Sequence, residues 1–450
     1  MSATAAPLTA VRAIRADLLD FTATPPWGDA SDNPGGSVRF RPDHWLLIGA
    51  DGRITGVQAA ATFEPAPGIE RHDHLGRLLM PGFVDSHVHS PQVPVMASYG
   101  TELLDWLNNY TFPSETAWAD AGHATRGTEL FLDALLAHGT TTAAVYPTVH
   151  KASAEALFAG AQARGMRVIG GKVLMDRHAP DGLRDTVAQA ERDSIDLIQR
   201  WHGRGRCSYA LTVRFAPTST PGQLAMAGAL ARADPTLYMQ THVAENRDEV
   251  RWVAELFPQA RSYLAVYDDA GLLHPRSVLA HGIWLDADDR ARLAASGAHV
   301  AHCPTSNLFL GSGLYNWRAA LGNDRTPGHA TSLASDVGGG TSLNLLRNAA
   351  AAYTVQALQG ERLTAWVALH AATRGGAEAL HLGHELGTLE PGLMADVAVW
   401  DWSAGTLDTE RQRVARGLHE RVFAWMTLAD ERHLAATWVA GQERYRRSTT

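Results

Sequence analysis

Lysine is nearly missing from this chain. Of its 39 basic residues only Lys151 and Lys172 are lysine, so any role that needs a lysine has two candidates. Cysteine is equally scarce, with Cys207 and Cys303 the whole supply. Two cysteines cannot build a thiolate zinc cluster, and their rarity suits a reducing compartment. Positive charge is in deficit, with a formal net charge of −8. This argues against a protein that tracks the nucleic-acid backbone. Long apolar runs are lacking too, and none approaches the length of a membrane span. Arg12, Arg15 and Asp17 interrupt the N-terminal stretch where a secretory leader needs a continuous apolar core. The expectation is a soluble, cytoplasmic protein with neither nucleic acid nor membrane as partner.

What is present suffices for a large core. The chain has 450 residues, 45% hydrophobic and 19% charged, within reach of one large barrel and a smaller unit. The N-terminal region reads as short strands and turns. HWLLIGADGRITGV is a hairpin signal, an apolar run followed by Asp51-Gly52 and an alternating run. The C-terminal region has similar pieces in ADVAVWD and ATWVAGQERY. Between them, apolar β-branched runs alternate with Ala/Leu/Arg-rich helical stretches, the pattern of repeated βα units and a parallel sheet. Eight runs read as strands: LLMPGFVDSHVH, GTTTAAVY, MRVIGGKVLMD, SYALTVRFAP, LYMQTHVAE, SVLAHGIWL, HVAHCPTSN and TSLASDV. The fold class is therefore α/β, a (β/α)8 TIM-like barrel over residues 79–385. Residues 1–78 and 386–450 are expected to pair into a small β-sandwich domain. In such a barrel the active site lies at the C-terminal strand ends, and His87, His89, Arg214, His242, Glu245, His281 and Asp336 all sit there.

PGFVDSHVH puts His87 and His89 two apart in a strand. Side chains at i and i+2 share a face, so both imidazoles aim at one point, as a metal requires. THVAE adds His242 and, three residues on, Glu245; LAHG adds His281; LASD adds Asp336. Taken singly, each histidine reads as readily as a core or loop residue. Together, four histidines and an aspartate at strand ends read as a metal centre. Imidazole and carboxylate donors without thiolate suit zinc, with iron or manganese as alternatives. A divalent cation lowers the pKa of water and so supplies a nucleophile near neutral pH. Asp336 can ligate and accept the water's proton, while Glu245 lies beside the metal, placed to pass protons to a substrate nitrogen. Glu245 could equally be a helix N-terminal acid in ENRDEV. His281 is open to two roles, ligand or orienting group. Binuclear barrels of this type use a lysine after strand four as a bridging carbamate. Here that strand ends in Val213, Arg214 and Phe215, which favours one metal per subunit. Arg214 should face the site as a fixed donor pair for a substrate oxygen; a structural ion pair is the other reading.

In order along the chain, PGFVDSHVH, THVAE, LAHG, HCPTSN, ASDVGGGTS and GTLEPGLMADVAVWD resemble the amidohydrolase superfamily, from about Leu79 to Asp401. Within it, SPQVPVMASYGTELLDWLNNYTFPSE, GGKVLMDRHAPDGL, RFAPTS, HVAENRDEV and PTSNLFLGSGLYN look most like the guanine deaminase branch. The resemblance implies zinc held by His87, His89, His242 and Asp336, with His281 as a further ligand or water-orienting group. It implies Glu245 as proton shuttle, Gln92 and Arg214 against a purine edge, His242 also beside the substrate, and Phe215 against the ring. An amide carries both donor and acceptor, as a purine edge requires, and Arg214 suits a 6-oxo group. Trp106 offers a second flat surface. The implied reaction is hydrolytic deamination of guanine to xanthine and ammonia, in an enzyme that is usually a homodimer. The other zinc-deaminase design needs H-x-E with a PCxxC pair, which Cys207 and Cys303 cannot supply. Competing readings are a hydrolase of pterins, 8-oxoguanine or triazines, and a barrel that serves as a non-catalytic scaffold. The loop over residues 96–104 is apolar enough for a lid or a dimer contact. His302 is read as packing rather than ligand, and Gly338–Gly340 as a turn rather than a phosphate cradle, since no GK[ST] follows.

Overall fold

The computed structural model describes residues 10–100, 103–323 and 326–448. The first nine residues of the N-terminal segment, residues 101–102 of the apolar loop and the last two residues of the C-terminal segment lie outside the described residues. By its contacts the chain divides into two compact units. One takes residues up to 84, 135–141 and everything from 364; the other takes 85–134 and 142–363. No helix among the described residues is long and apolar enough to cross a membrane.

The first unit begins with β1 (Ala10–Phe21), β2 (Val38–Gly49), β3 (Ile54–Ala59) and β4 (Glu70–Pro81). The hairpin expected at Asp51-Gly52 joins β2 to β3, with Gly52 at φ +79°. A glycine takes that left-handed backbone without a steric penalty. Strand β1 buries Ile14, Ala16 and Leu18 on one face and sets Ala13 against Trp45 and Leu47 on the other. That is the period-two placement of a strand in the middle of a sheet.

The barrel strands follow in chain order. β5 (Phe83–His89), β6 (Thr140–Tyr146) and β7 (Arg167–Gly170) come first. After β7 comes a two-residue continuation, β8 (Val173–Leu174), and then β9 (Cys207–Val213), β10 (Tyr238–Val243), β11 (Ser277–His281) and β12 (His299–His302). A short hairpin, β13 (Gly322–Asn323) with β14 (Thr326–Pro327), precedes β15 (Thr331–Leu333). The hydrogen-bonded order β5-β6-β7-β9-β10-β11-β12-β15 realises all eight expected strands. β5, β6, β9 and β11 are buried along their whole length. This is why they read as continuous apolar or small-residue runs rather than alternating ones. Two details differ from the sequence reading. Leu78–Pro81 belongs to β4, not to the first barrel strand. Strand three breaks at Gly170–Gly171, because a Cβ on Gly171 would lie 2.0 Å from the Ala210 carbonyl oxygen. Lys172 sits in that break, buried and ion-paired with Asp185.

The ring is drawn together where β5 meets the segment after β15. The Asp336 N–H donates to the His87 carbonyl (2.9 Å) and the His89 N–H to the Val337 carbonyl (2.9 Å). Ser86 Oγ donates to the Leu333 carbonyl, and the Ser335 N–H donates to Asp85 Oδ1 (3.0 Å). The C-terminal segment then supplies β16 (Val397–Trp400), β17 (Leu434–Val439) and β18 (Gln442–Arg446). The two terminal segments pair as expected, in one continuous seven-stranded ladder of order β18-β17-β16-β4-β1-β2-β3. Val397 and Val399 of β16 join Ile14, Leu18 and Leu79 in its core.

Asp85 is wholly buried, and burial pushes its carboxyl up to about 7. Its partners are the Ser335 N–H, the Ser335 hydroxyl and the His87 N–H. Asp85→Ala leaves those donors buried and unpaired. The expected cost is about 1–3 kcal/mol of stability, read from denaturant unfolding, with weaker metal retention because His87 loses its backbone anchor.

Candidate active site

Strand ends deliver the donors. His87 and His89 project from one face of β5, His242 from β10, and Asp336 from the loop three residues past β15. The ligand atoms of His87, His89, His242 and Asp336 all lie within 4.8 Å of one another. His89 Nε2 is 3.2 Å from His87 Nε2 and 3.3 Å from His242 Nε2. Asp336 Oδ1 is 3.2 Å from the Nε2 of both His87 and His89. Burial pulls all three imidazoles below their usual pKa, that of His87 to about 4, so they are neutral at physiological pH. Burial alone would raise Asp336, but hydrogen bonds from His87 and His89 outweigh it and hold the carboxyl well below its usual range. Neutral nitrogens facing one another at these distances can share at most one proton per pair. The surplus lone pairs around one point are what a divalent cation satisfies, so the donor set fits such an ion. His242 Nδ1 lies 2.6 Å from the Arg214 carbonyl, to which it can only donate, and this leaves Nε2 free as a ligand.

His281 stands at the edge of this group. Its Nε2 is 3.7 Å from Asp336 Oδ2 and 3.4 Å from Glu245 Oε2. Nδ1 is held by Asn307 Oδ1 at 2.8 Å. Burial lowers its pKa, yet the Glu245 and Asp336 carboxylates outweigh that and leave it raised. Cys303 also comes within reach of His281 and Asp336, which its place in the sequence did not suggest. Burial pushes its thiol far up, so it stays protonated and inert.

Three non-glycine residues here take left-handed backbone: Ala244 (φ +47°), His281 (+72°) and Asp336 (+48°). Each costs about 1–3 kcal/mol and persists only where surrounding structure imposes it, typically at functional sites. The turn at Ala244 directs Glu245 inward. The following helix, Arg247–Leu256, is capped by Asn246, and Glu249 Oε2 accepts from the N–H groups of Glu245 (2.9 Å) and Asn246 (3.1 Å). Glu245 therefore does no capping. Its Oε1 accepts from Ser312 Oγ (2.9 Å), and burial raises its carboxyl to about 7.

A cavity opens over these groups. His89, His242, Glu245, His281 and Asp336 line one side, Gln92, Arg214 and Phe215 another, and Leu103, Trp106 and Leu107 a third. His87 lies behind His89. Among the described residues of the apolar loop over 96–104, Leu103 lines the cavity. Gln92 and Arg214 meet through a residue the sequence reading did not single out, Glu115. Gln92 Nε2 donates to Glu115 Oε1 (2.9 Å), and Arg214 Nη1 to Oε1 (2.8 Å) and Oε2 (2.7 Å). Ser312, Asn307 and Glu249 were missed likewise. Glu115 ended one quoted motif and Glu249 lay within another, HVAENRDEV, but nothing in their spacing distinguishes them from surface acids. The glycine triplet is a turn, as expected. A Cβ on Gly338 would lie 2.5 Å from the Gln92 carbonyl oxygen, and one on Gly340 1.8 Å from that of Ser335.

A barrel whose C-terminal strand ends gather imidazole and carboxylate donors beneath a cavity has the features of a metal-dependent barrel enzyme. The chain belongs to the Amidohydrolase family, whose pattern matches residues 78–444. It is 41% identical over 443 residues to the guanine deaminase of Escherichia coli (strain K12), spanning 97% of this chain and 98% of that relative. The structure is similar to that of guanine deaminase from Bradyrhizobium japonicum, with TM-score 0.92, 33% identity and coverage of 98% of this chain and 100% of the other. It is also similar to that of guanine deaminase from C. acetobutylicum with guanine bound in the active site, with TM-score 0.85, 26% identity and coverage of 96% and 100%.

His302 is buried against the rings of Tyr315 (4.7 Å) and Trp317 (5.5 Å), and neither ring nitrogen has a hydrogen-bond partner among the described residues. Burial drops its pKa to about 3. A histidine depressed on folding contributes stability that is full above its unfolded pKa of about 6.5 and is lost as pH falls toward the folded value. His302→Phe should keep metal content unchanged. It should also flatten the loss of stability between pH 6.5 and 4 by up to about 1.4 kcal/mol per pH unit, measured by denaturant unfolding across a pH series.

Proposed function

We propose that this chain catalyses the hydrolytic deamination of guanine to xanthine and ammonia. The observation that carries it is one cavity lined both by a carboxyl pair suited to proton handling, Glu245 and Asp336, and by a fixed amide and guanidinium, Gln92 and Arg214. The near full-length likeness to guanine deaminases supports the same reading. One zinc ion per subunit would be held by His87, His89, His242 and Asp336. When bound, it lowers the pKa of water and polarises the carbon under attack.

The remaining work falls to the side chains. Gln92 and Arg214 hold the oxo edge of the purine, and Phe215 presents a flat apolar face to its ring. That pose sets the carbon bearing the 2-amino group near the donor cluster. Asp336, kept ionised, takes a proton from the attacking water. Glu245, poised near neutrality by burial, protonates the ring nitrogen and then the departing amine. His281, fixed by Asn307, orients the water between the two carboxylates. The proton count closes over one turnover: water adds to the carbon, one of its protons stays on the ring nitrogen and the other departs in ammonia, and the proton that Asp336 takes is passed on so that both carboxyls end as they began. The likeness to the guanine deaminases also leads us to expect a cytoplasmic homodimer, which native mass measurement tests.

Purified, zinc-loaded protein should release ammonia from guanine and far less from adenine, cytosine, 8-oxoguanine or pterins. Zinc-loaded protein that leaves guanine untouched would overturn the proposal. Glu245→Gln should lower kcat by about 10²–10⁴-fold while elemental analysis finds the metal retained. Loss of the metal instead would mean that Glu245 is a ligand. Chelation should abolish turnover, and zinc should restore it.

A further inference from the structure

The part of the cavity lining that carries Gln92 and Arg214 is organised around one acid. Glu115 is wholly buried, on the short helix Phe112–Thr116. Its carboxylate is shared: Oε1 accepts from both Gln92 Nε2 and Arg214 Nη1, and Oε2 accepts from Arg214 Nη1 again. The Arg214 guanidinium also lies over the Phe112 ring, 5.4 Å from its centroid. The same helix is pinned to the turn that carries Gln92, because Ser114 Oγ donates to the Pro91 carbonyl at 2.7 Å.

These contacts fix more than position. Gln92 Oε1 accepts from the Gly338 N–H at 3.1 Å while Nε2 faces Glu115. Flipping the amide would set its NH2 against an N–H and its oxygen against a carboxylate, so only one orientation is allowed. One amide N–H and one lone pair then remain for a ligand. Arg214 spends Nη1 on Glu115 and makes no other side-chain hydrogen bond among the described residues, although it lines the cavity. Its remaining donors are available to an oxygen acceptor. A purely structural ion pair would need neither the shared amide nor a guanidinium open to the cavity.

We infer that Glu115 is the positioning residue that sets Arg214 and Gln92 in the pose that reads the oxo edge of the purine. This rests on the proposed guanine chemistry and adds a determinant of specificity to it. The effect should depend on the ligand: a purine without the oxo group makes no use of Arg214, so losing Glu115 should hardly touch it.

The test uses the zinc-loaded enzyme and the isosteric variant Glu115→Gln. Guanine kinetics are measured beside inhibition by hypoxanthine, which has the oxo group, and by unsubstituted purine, which lacks it. The expected result is a rise of about 30-fold in KM for guanine and in Ki for hypoxanthine, with a smaller fall in kcat. Ki for purine should stay within about twofold, and metal content should be unchanged. Combined with Arg214→Met, Glu115→Gln should add little to the loss from Arg214→Met alone. Equal losses for hypoxanthine and purine, unchanged guanine kinetics, or additive losses in the double variant would each overturn the inference. Should Glu115→Gln not fold, Glu115→Asp, which keeps the charge but shortens the reach, carries the same ligand comparison. A wild-type enzyme that releases no ammonia from guanine removes the functional reading and this inference together. An active wild type with an indifferent variant removes the inference alone.

Discussion

Three neutral imidazole nitrogens and a carboxylate oxygen held within 4.8 Å of one another bring more lone pairs to one point than shared protons can satisfy, and the barrel strands hold them there. Each donor comes from a different strand or strand-end loop, except the β5 pair, so the cluster persists only while those strands keep their register. Backbone hydrogen bonds between β5 and the segment after β15 fix that register within one residue of the ligands: the Asp336 N–H donates to the His87 carbonyl, and the His89 N–H donates to the Val337 carbonyl. A divalent cation turns this surplus into coordination, so metal binding and barrel closure reinforce each other. The strained backbone at His281 and Asp336 belongs to the same economy, since a relaxed φ would swing the side chain off the shared point.

The group around Glu115 follows a different rule. Hydrogen-bond direction, rather than charge density, organises Gln92, Glu115 and Arg214. Burying a guanidinium costs several kcal/mol unless a carboxylate meets it, and Glu115 meets it while also fixing the neighbouring amide. Gly338 completes the arrangement. Its N–H holds the far end of Gln92, and a Cβ there would collide with the Gln92 backbone. Glycine is thus required after Asp336 by the close approach of two chain segments, which accounts for a triplet that sequence alone could have assigned to phosphate.

The metal wall was legible in the sequence because it obeys local periodicity. His87 and His89 share a face by the pleat, and THVAE, LAHG and LASD each end a strand-like run. The reader of the cavity was only half legible. Gln92 and Arg214 follow recognisable strand ends, but Glu115 acts from a short helix 23 residues beyond Gln92, in a segment with no periodic signal. Asn307 acts from the short helix Pro304–Phe309 and Ser312 from the irregular chain after it, where proximity is set by the tertiary path and not by spacing. The β4–β5 junction was misjudged for a related reason. LLMPGFVDSHVH is one apolar run, yet it serves two sheets, and only the pairing partners of Leu78–Pro81 reveal the division.

Glu245 and Glu249 show how environment divides labour between identical side chains four residues apart. Both are buried, and burial raises the carboxyl of each. Glu249 is committed: its oxygens accept from two backbone N–H groups and from the Tyr263 hydroxyl at 2.6 Å. Protonating it would sacrifice part of that network. Glu245 accepts from a single hydroxyl, that of Ser312, and its other oxygen lies 3.4 Å from His281 Nε2. It alone can gain and lose a proton without dismantling its surroundings, as a shuttle must. Position near a helix N-terminus would have suggested the same role for both acids. The cap supplied by Asn246 and Glu249 releases Glu245 from that duty, and the turn at Ala244 aims it at the site.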